Sequence, residues 1–298
     1  MMGGDPIDSC RESSNKYVHA IVARSGSSFY WAMRFLPLLQ RQALFAVYAF
    51  CREIDDIADG AGSETDKISD LNVWREEIRL VYEEGSPKTR IGIALYNVRR
   101  EFNIERKHLD AVIDGMVMDV RGPIVAPSFG QLDNYCELVA GAVGHLCMQI
   151  FGESEESAIR VINSLSRALQ FTNILRDLYE DALMGRLYLP RELLADYDIS
   201  DDTPLNVVSN PKVAAVCTKM AEMASHEFEE AKEALSQCNR RTKKSLHVMI
   251  AVYQGTLSRM KKTEWSGIAQ PRHRSLVGNT WVRIRKLAIA LRYGVFCE

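Results

Sequence analysis

Two groups of oxygen-bearing residues stand out by their spacing: Asp55, Asp56 and Asp59 early in the chain, and Asn173, Asp177 and Asp181 beyond its middle. Aspartates at i and i+4 share a helical face about one turn apart, where like charges repel unless a cation stands between them. Tyr48, Arg52, Asp55, Asp56 and Asp59 follow i, i+4, i+7, i+8 and i+11 and fall along one stripe. Gln170, Asn173, Asp177 and Asp181 form a second stripe, beside an Arg176 and Glu180 pair at i,i+4. Carboxylate and amide oxygens are hard ligands. Mg²⁺ takes a few of them and keeps its other positions for water and substrate phosphates. Two such stripes facing each other would make a diphosphate site. The alternative for each is a solvated, salt-bridged helix face, but the surroundings at 43–47 and 49–51 are almost wholly apolar, and a carboxylate held near a core needs a partner.

These residues need long helices to position them. Apolar residues recur at three- and four-residue spacings around 29–36, 40–58, 67–84, 89–102, 105–119, 131–151, 154–183, 211–238, 241–264 and 276–292, which predicts helices there. Breaks fall at 60–63, 85–87, 122–130 and 201–204, where Gly, Pro, Ser and Asp cluster. No strand alternation, long linker or internal repeat is visible. The expected architecture is therefore all-α, a single domain over residues 1–298.

Composition narrows the function classes. The chain has 298 residues, 47% hydrophobic and 26% charged, which is ordinary for a globular protein with a large core. The longest uncharged apolar stretch, residues 138–151, is too short to span a bilayer and reads as a buried helix. No apolar segment follows the N-terminus as a secretory signal would require, so the cytoplasm is the expected compartment. Seven cysteines lack CxxC spacing, which argues against a disulfide framework and a zinc site.

Net charge is only -2, yet between Arg240 and Arg292 thirteen Lys or Arg stand against one acid, Glu264. That region reads either as solvated helix faces with a few arginines turned toward phosphate, or as a contact with an anionic membrane. No helix-turn-helix, zinc-finger or RNP-like pattern supports nucleic-acid binding.

The motifs resemble those of the trans-isoprenyl head-to-head synthases, the family of phytoene, squalene, dehydrosqualene and presqualene diphosphate synthases. The resemblance runs in family order through residues 25–37 (SGSSFYWAMRFLP), 48–59 (YAFCREIDDIAD), 135–144 (YCELVAGAVG) and 170–190 (QFTNILRDLYEDALMGRLYLP). It implies an isoprenoid synthase fold, a helical bundle around a central cavity, with the two aspartate-rich helices facing each other across Mg²⁺, for which Mn²⁺ could substitute. It further implies that Asp55 and Asp59 are ligands on one wall and Asn173, Asp177 and Asp181 on the other. Ser25 to Ser28, with Ser27 and Ser28 among them, Tyr48, Arg52, Gln170, Arg176, Arg186 and Tyr253 lie where the family binds prenyl diphosphate. Tyr135 and Tyr188 fall near the expected reaction centre. Some relatives carry a histidine before the serine-rich segment, where this chain has Arg24 and Ser25.

In the reaction so implied, one farnesyl diphosphate ionises and its allylic cation is attacked by the C2–C3 double bond of a second. Loss of a C1 proton then closes a cyclopropane, with Tyr135 or the released diphosphate as base. Such a cation needs a dry, apolar cavity. Phe29, Tyr30, Trp31, Phe50 and Phe171 are candidate aromatic linings, each with core packing as its alternative. Gly141 and Gly144, beside Ala140 and Ala142, would allow close approach of a prenyl chain or another helix. The spelling of the motifs is most like presqualene diphosphate synthases of hopanoid pathways. Phytoene synthase, acting on geranylgeranyl diphosphate, is the alternative. NADPH is not required for the expected reaction, and no Gly-rich dinucleotide fingerprint is present. A third possibility, from another class, is a helical binding or scaffold protein of this fold without turnover.

Overall fold

The computed structural model describes residues 6–25, 30, 33, 34, 36–83, 85–201 and 203–266, with the side chains of 6–10 excepted. Its elements are α1 (Pro6–Arg24), α2 (Leu38–Asp59), α3 (Glu64–Glu83), α4 (Arg90–Phe102), α5 (Arg106–Arg121) and α6 (Phe129–Cys136). A π turn (Glu137–Gly141) joins α6 to α7 (Ala142–Phe151). Then follow α8 (Glu155–Leu183), α9 (Arg191–Asp196), α10 (Pro204–Ser209), α11 (Val213–Leu235) and α12 (Arg240–Lys262). There is no strand among the described residues, and none of their helices is long and apolar enough to cross a membrane.

The helices begin where side chains can satisfy their first N–H groups. Thr89 accepts from the backbone of Gly92 at the head of α4, and Ser128 and Gln131 form a reciprocal capping box on α6. Asn239 accepts from Arg241 and Thr242 at the head of α12. Ser154 opens α8, where Glu155 and Glu156 in the first turn complement the helix dipole. At 29 residues, α8 is about 43 Å long and supplies one whole wall of the molecule. It packs along α11 over most of its length, while α2 packs on α1, α3, α4, α5 and α7. One continuous hydrophobic core joins these layers, from Val18 and Val22 of α1 to Leu257 of α12.

Three features depart from the sequence expectation. Helix α1 was not foreseen; it is mostly polar and buries only a thin line at Ser14, Val18 and Val22. The single helix expected over 131–151 is interrupted by the π turn, a widening that is frequent at functional sites. Short helices α9 and α10 occupy a stretch read as connection. The helix expected over 276–292 lies outside the described residues, as do parts of that expected over 29–36, of which Tyr30, Met33 and Arg34 are helical.

One close approach fixes the position of α5. A Cβ built on Gly115 would stand 2.6 Å from Val139 Cγ1 of the π turn, so only glycine lets the two backbones come together. Gly115→Ala should therefore lower the melting temperature, by the equivalent of about 1–3 kcal/mol of overpacking, despite alanine's better helix propensity. Thermal unfolding checks this, and an unchanged or raised Tm would show that the contact is not tight.

Candidate functional site: an acidic pole on an apolar cavity

The two acidic helices stand apart across a cavity of about 250 Å³ that both of them line. The order of lining residues along each helix gives the cavity a direction. On α2 the series runs from Leu44 through Val47 and Tyr48 to Cys51, one turn before Asp55. On α8 it runs from Val161 and Leu165 to Gln170 and Asn173, one turn before Asp177. From Val161 to Asn173 is about 18 Å along the helix. The π turn and α7 add Val139 to Phe151, and α12 adds Leu246, Met249 and Tyr253. Of the polar lining residues, Tyr48, Gln170, Asn173 and Tyr253 collect at the end nearer the aspartates; Ser166 and Ser245 lie farther along, their hydroxyls donating to the carbonyls of Ile162 and Arg241, among residues that are otherwise apolar.

At the polar end the carboxylates converge. Arg186 Nη1 donates to Asp59 Oδ1 at 2.6 Å, and the backbone N–H of Arg186 donates to the carbonyl of Asp181 at 2.9 Å. One residue thus joins the two acidic helices. Gly185, at φ 77°, turns the chain back from the end of α8. A parallel bridge between Val125 and Leu187 then pins it: Leu187 donates to Ile124 O (2.7 Å) and Ala126 donates to Leu187 O (2.9 Å). Side chains alternate along extended backbone, so with Leu187 in the core Arg186 and Tyr188 share the opposite side.

That side holds a residue the sequence reading did not single out, Asp119 of α5. It is only 7% exposed. Tyr188 donates to its Oδ1 at 2.7 Å and Tyr135 to its Oδ2 at 2.9 Å, with the two phenol rings stacked 5.0 Å apart. The signal available in the sequence was an acid closing an otherwise apolar turn, Met116-Val-Met-Asp119; its partners are 16 and 69 residues away and carry no local pattern.

Around this pole Arg52 donates to Asp55 (3.2 Å) and also holds Asp56, which points to the solvent side of the stripe. Arg176, expected to pair with Glu180, engages the neighbouring Asp177, its Nε donating to Oδ1 at 2.8 Å. Asn173 Nδ2 donates to Gln170 Oε1 (3.4 Å), while its Oδ1 is buried with no hydrogen-bond donor among the described residues. Ser25 closes α1, its hydroxyl donating to Val22 O at 2.8 Å, and is not among the lining residues. Ser27, Ser28, Phe29 and Trp31 lie outside the described residues. Of the other candidate aromatics, Phe50 is fully buried edge-on to Trp74, Phe171 is buried, and Tyr30 stacks on Phe45; none lines the cavity. Gly144 does line it, against Ile162 of α8, whereas Gly141 backs onto the carboxylate of Glu137.

The donor set fits a hard cation. Asn173 offers a buried acceptor with no hydrogen-bond donor among the described residues, on the same face as Asp177 and Asp181. Among the described residues no three Asp, Glu, His or Cys side chains form a ready-made metal cluster; a cation here would draw the rest of its coordination from water and substrate oxygens. Burial, and next Asp59, push the Asp55 carboxyl up to about 6; burial, and next Asp177, push Asp181 up to about 7. Burial raises Asp119 as well, against the hydrogen bonds of Tyr188 and the charge of Arg186.

These shifts set the pH dependence of the metal-free fold. An unfolded aspartate titrates near about 3.9, so between there and pH 7 the native state binds more protons than the unfolded one. Stability then falls as pH rises through the window and is recovered as pH falls. Without divalent metal, the Tm should climb as pH is lowered from about 8 to about 5, and Asp181→Asn should flatten the slope. A Tm that falls over this range would contradict the shifts.

Comparison with known proteins gives the family and the fold. The sequence model of the squalene/phytoene synthase family matches residues 22–278. Presqualene diphosphate synthase of Rhodopseudomonas palustris is 40% identical over 270 residues, covering 91% of this chain and 94% of that protein. Phytoene synthase of Mycobacterium tuberculosis is 30% identical, covering 94% and 91%. The fold is shared with a dehydrosqualene synthase solved in complex with ligand, at a TM-score of 0.82 and 24% identity over 97% of this chain and 99% of that one. It is shared too with squalene synthase from Alicyclobacillus acidocaldarius, at a TM-score of 0.77 and 24% identity over 90% and 98%. With the family's sequence pattern spread over most of the chain and its fold closed around the acidic pole, the chain belongs to the squalene/phytoene synthase family.

Proposed function

We propose that this protein condenses two molecules of farnesyl diphosphate, head to head, into presqualene diphosphate and inorganic diphosphate. The observation that carries the substrate class is the joining of two opposed acidic stripes, through Arg186, at the mouth of an apolar cavity: one end suits a diphosphate with its cations and the other a prenyl chain. The choice of product rests on the relatives, 40% identity to a presqualene diphosphate synthase against 30% to a phytoene synthase. The full chain, residues 1–298, is read as one isoprenoid synthase unit working in the cytoplasm.

In this reading Asp55 and Asp59 of α2 and Asn173, Asp177 and Asp181 of α8 would hold Mg²⁺. The chemistry such a cation supplies is neutralisation of the charge that develops on the departing diphosphate. Arg52, Arg176 and Arg186 add fixed positive charge at the same pole, each already restrained by an aspartate. Tyr48, Gln170 and Tyr253 line the passage from that pole into the cavity. As the C1–O bond of the donor breaks, its electron pair leaves with the diphosphate. The apolar walls keep water from the allylic cation, and the acceptor's double bond attacks it to form a C–C bond.

Ring closure requires that the donor's former C1 give up a proton as the second bond forms. In this reading Tyr135 takes it by relay: its oxygen accepts the proton while its own passes to Asp119 Oδ2, to which it is hydrogen-bonded at 2.9 Å. Burial holds the Tyr135 phenol well above its ordinary pKa, so it serves as a conduit and the buried carboxylate as the store. Tyr188 steadies the other oxygen of Asp119. The released diphosphate is the alternative base.

Three outcomes test this. Asp59→Asn and Asp177→Asn should each reduce turnover by at least about 10²-fold at saturating Mg²⁺, with Tm unchanged or raised as like charge is relieved; near-normal rates in either would remove the metal role. Asp119→Asn and Tyr135→Phe should each slow turnover, and the double variant should be no slower than the worse single if they act as one relay; additive losses would separate them. Farnesyl diphosphate with Mg²⁺ and no NADPH should yield presqualene diphosphate. Conversion of geranylgeranyl diphosphate to phytoene with much higher kcat/KM would favour the second reading, and no turnover of any prenyl diphosphate the scaffold.

A further inference from the structure

The apolar end of the cavity is built from the ends of three helices that hydrogen bonds hold together. Gln40 of α2 donates through Nε2 to the carbonyl of Ile150 at the end of α7 (3.2 Å). Asn239, which caps α12, donates its backbone N–H to Glu153 Oε1 (2.9 Å), and its side-chain amide lies 3.5 Å from the carbonyl of the next α7 residue, Phe151. The first turns of α2 and α12 therefore emerge on the same side of the molecule, one on each side of the end of α7. The carboxylates stand at the opposite end of these helices, beyond Cys51 on α2 and beyond Tyr48 and Tyr253 along the lining.

At this apolar end the protein exposes a pair of adjacent leucines; a second exposed apolar pair, Leu183 and Met184, closes α8 at the opposite, acidic end. Leu38 and Leu39 open α2 and are 57% and 46% exposed, although only Pro37 separates them from the cavity-lining Leu36. Basic residues flank them. Arg34 and Arg41 are linked by a hydrogen bond from Arg41 Nη1 to Arg34 O (3.2 Å). Across the end of α7, α12 begins with Arg240, Arg241, Lys243 and Lys244, the two arginines exposed. Acids are present too: Glu153, occupied by Asn239, and the exposed Glu155 and Glu156 in the first turn of α8. Glu105, hydrogen-bonded to Gln149 in the last turn of α7, and its partner Lys107 lie at this end as well. Seven basic side chains against four acids, around a pair of projecting leucines, are complementary to lipid of negative charge.

We propose that this end of the bundle, formed by the first turns of α2 and α12, docks on an anionic bilayer, with Leu38 and Leu39 inserted below the headgroups. The inference rests on the proposed function in one respect: prenyl chains that enter and leave the cavity are barely soluble in water, and a docked enzyme keeps them at lipid. The surface itself is defined by side chains outside the site, so it can be tested without turnover.

The test is sedimentation of the full chain with phosphatidylcholine vesicles, with and without phosphatidylglycerol. Wild type should sediment with the anionic vesicles, less with the neutral ones, and progressively less as salt screens the exposed charges. Leu38→Ser combined with Leu39→Ser should weaken binding by about tenfold or more. Arg240, Arg241, Lys243 and Lys244 all changed to Gln should weaken it similarly and remove most of its salt dependence. Val73→Ser, a control at an apolar side chain 65% exposed on α3, should bind as wild type. Turnover in detergent should be the same in all four proteins. Wild type that stays in the supernatant, either surface variant that sediments as wild type, or a Val73→Ser loss as large as the leucine pair's would overturn the docking surface. Absent turnover in detergent would instead overturn the functional reading, whatever the sedimentation shows.

Discussion

Mutual repulsion among Asp55, Asp59, Asp119, Asp177 and Asp181 is the constraint around which this structure is organised. Burial raises Asp55, Asp119 and Asp181 above the ordinary carboxylate range, and each also feels at least one of the other acids across the pole. A fold gains nothing in stability by gathering such charge; three arginines and two phenols restrain it without cancelling it. Uncompensated negative charge at a partly dry site is what a cation-bearing diphosphate would relieve. The long helices, the turn at Gly185 and the bridge at Leu187 bring these groups together from distant parts of the chain.

The second constraint is separation. A diphosphate and a carbocation must be handled within one site, yet the first demands charge and the second demands its absence from solvent. The cavity meets this by register: α2 and α8 present Tyr48, Gln170 and Asn173 toward the acidic pole and mainly aliphatic residues away from it. The π turn contributes by placing Val139 and Ala140 on the lining while Tyr135, just before it, faces Asp119. Glycine at 115 is what lets α5, carrying Asp119, lie close enough to that turn.

What could be read from the sequence was whatever repeats locally. The aspartate stripes on α2 and α8 were legible because carboxylates at i,i+4 in an apolar helix repel one another and call for a cation, and the long helices because their apolar periodicity persists over several turns. Helix α1 was illegible because its buried line is thin, and the π turn because nothing in Glu137 to Gly141 distinguishes it from the α-helical turns around it. Asp119 was missed for a different reason. Its surroundings depend on Tyr135 of α6 and on Tyr188 and Arg186, which flank Leu187 where it bridges to Val125, 62 residues away. Aromatic residues chosen by proximity to the motifs, Phe50 and Phe171, went to the core, since nearness in sequence does not decide which side of a helix meets the cavity.

The central claim is that the acidic pole is completed by cation and diphosphate together, neither being sufficient alone. Calorimetric titration of Mg²⁺ into the protein, with and without a non-ionising thiolodiphosphate analogue of farnesyl diphosphate, measures that coupling directly. Expected is weak Mg²⁺ binding to the protein alone, much tighter binding with the analogue present, and an equal gain in analogue affinity when Mg²⁺ is added first. Mg²⁺ affinity that is the same with and without the analogue would contradict it.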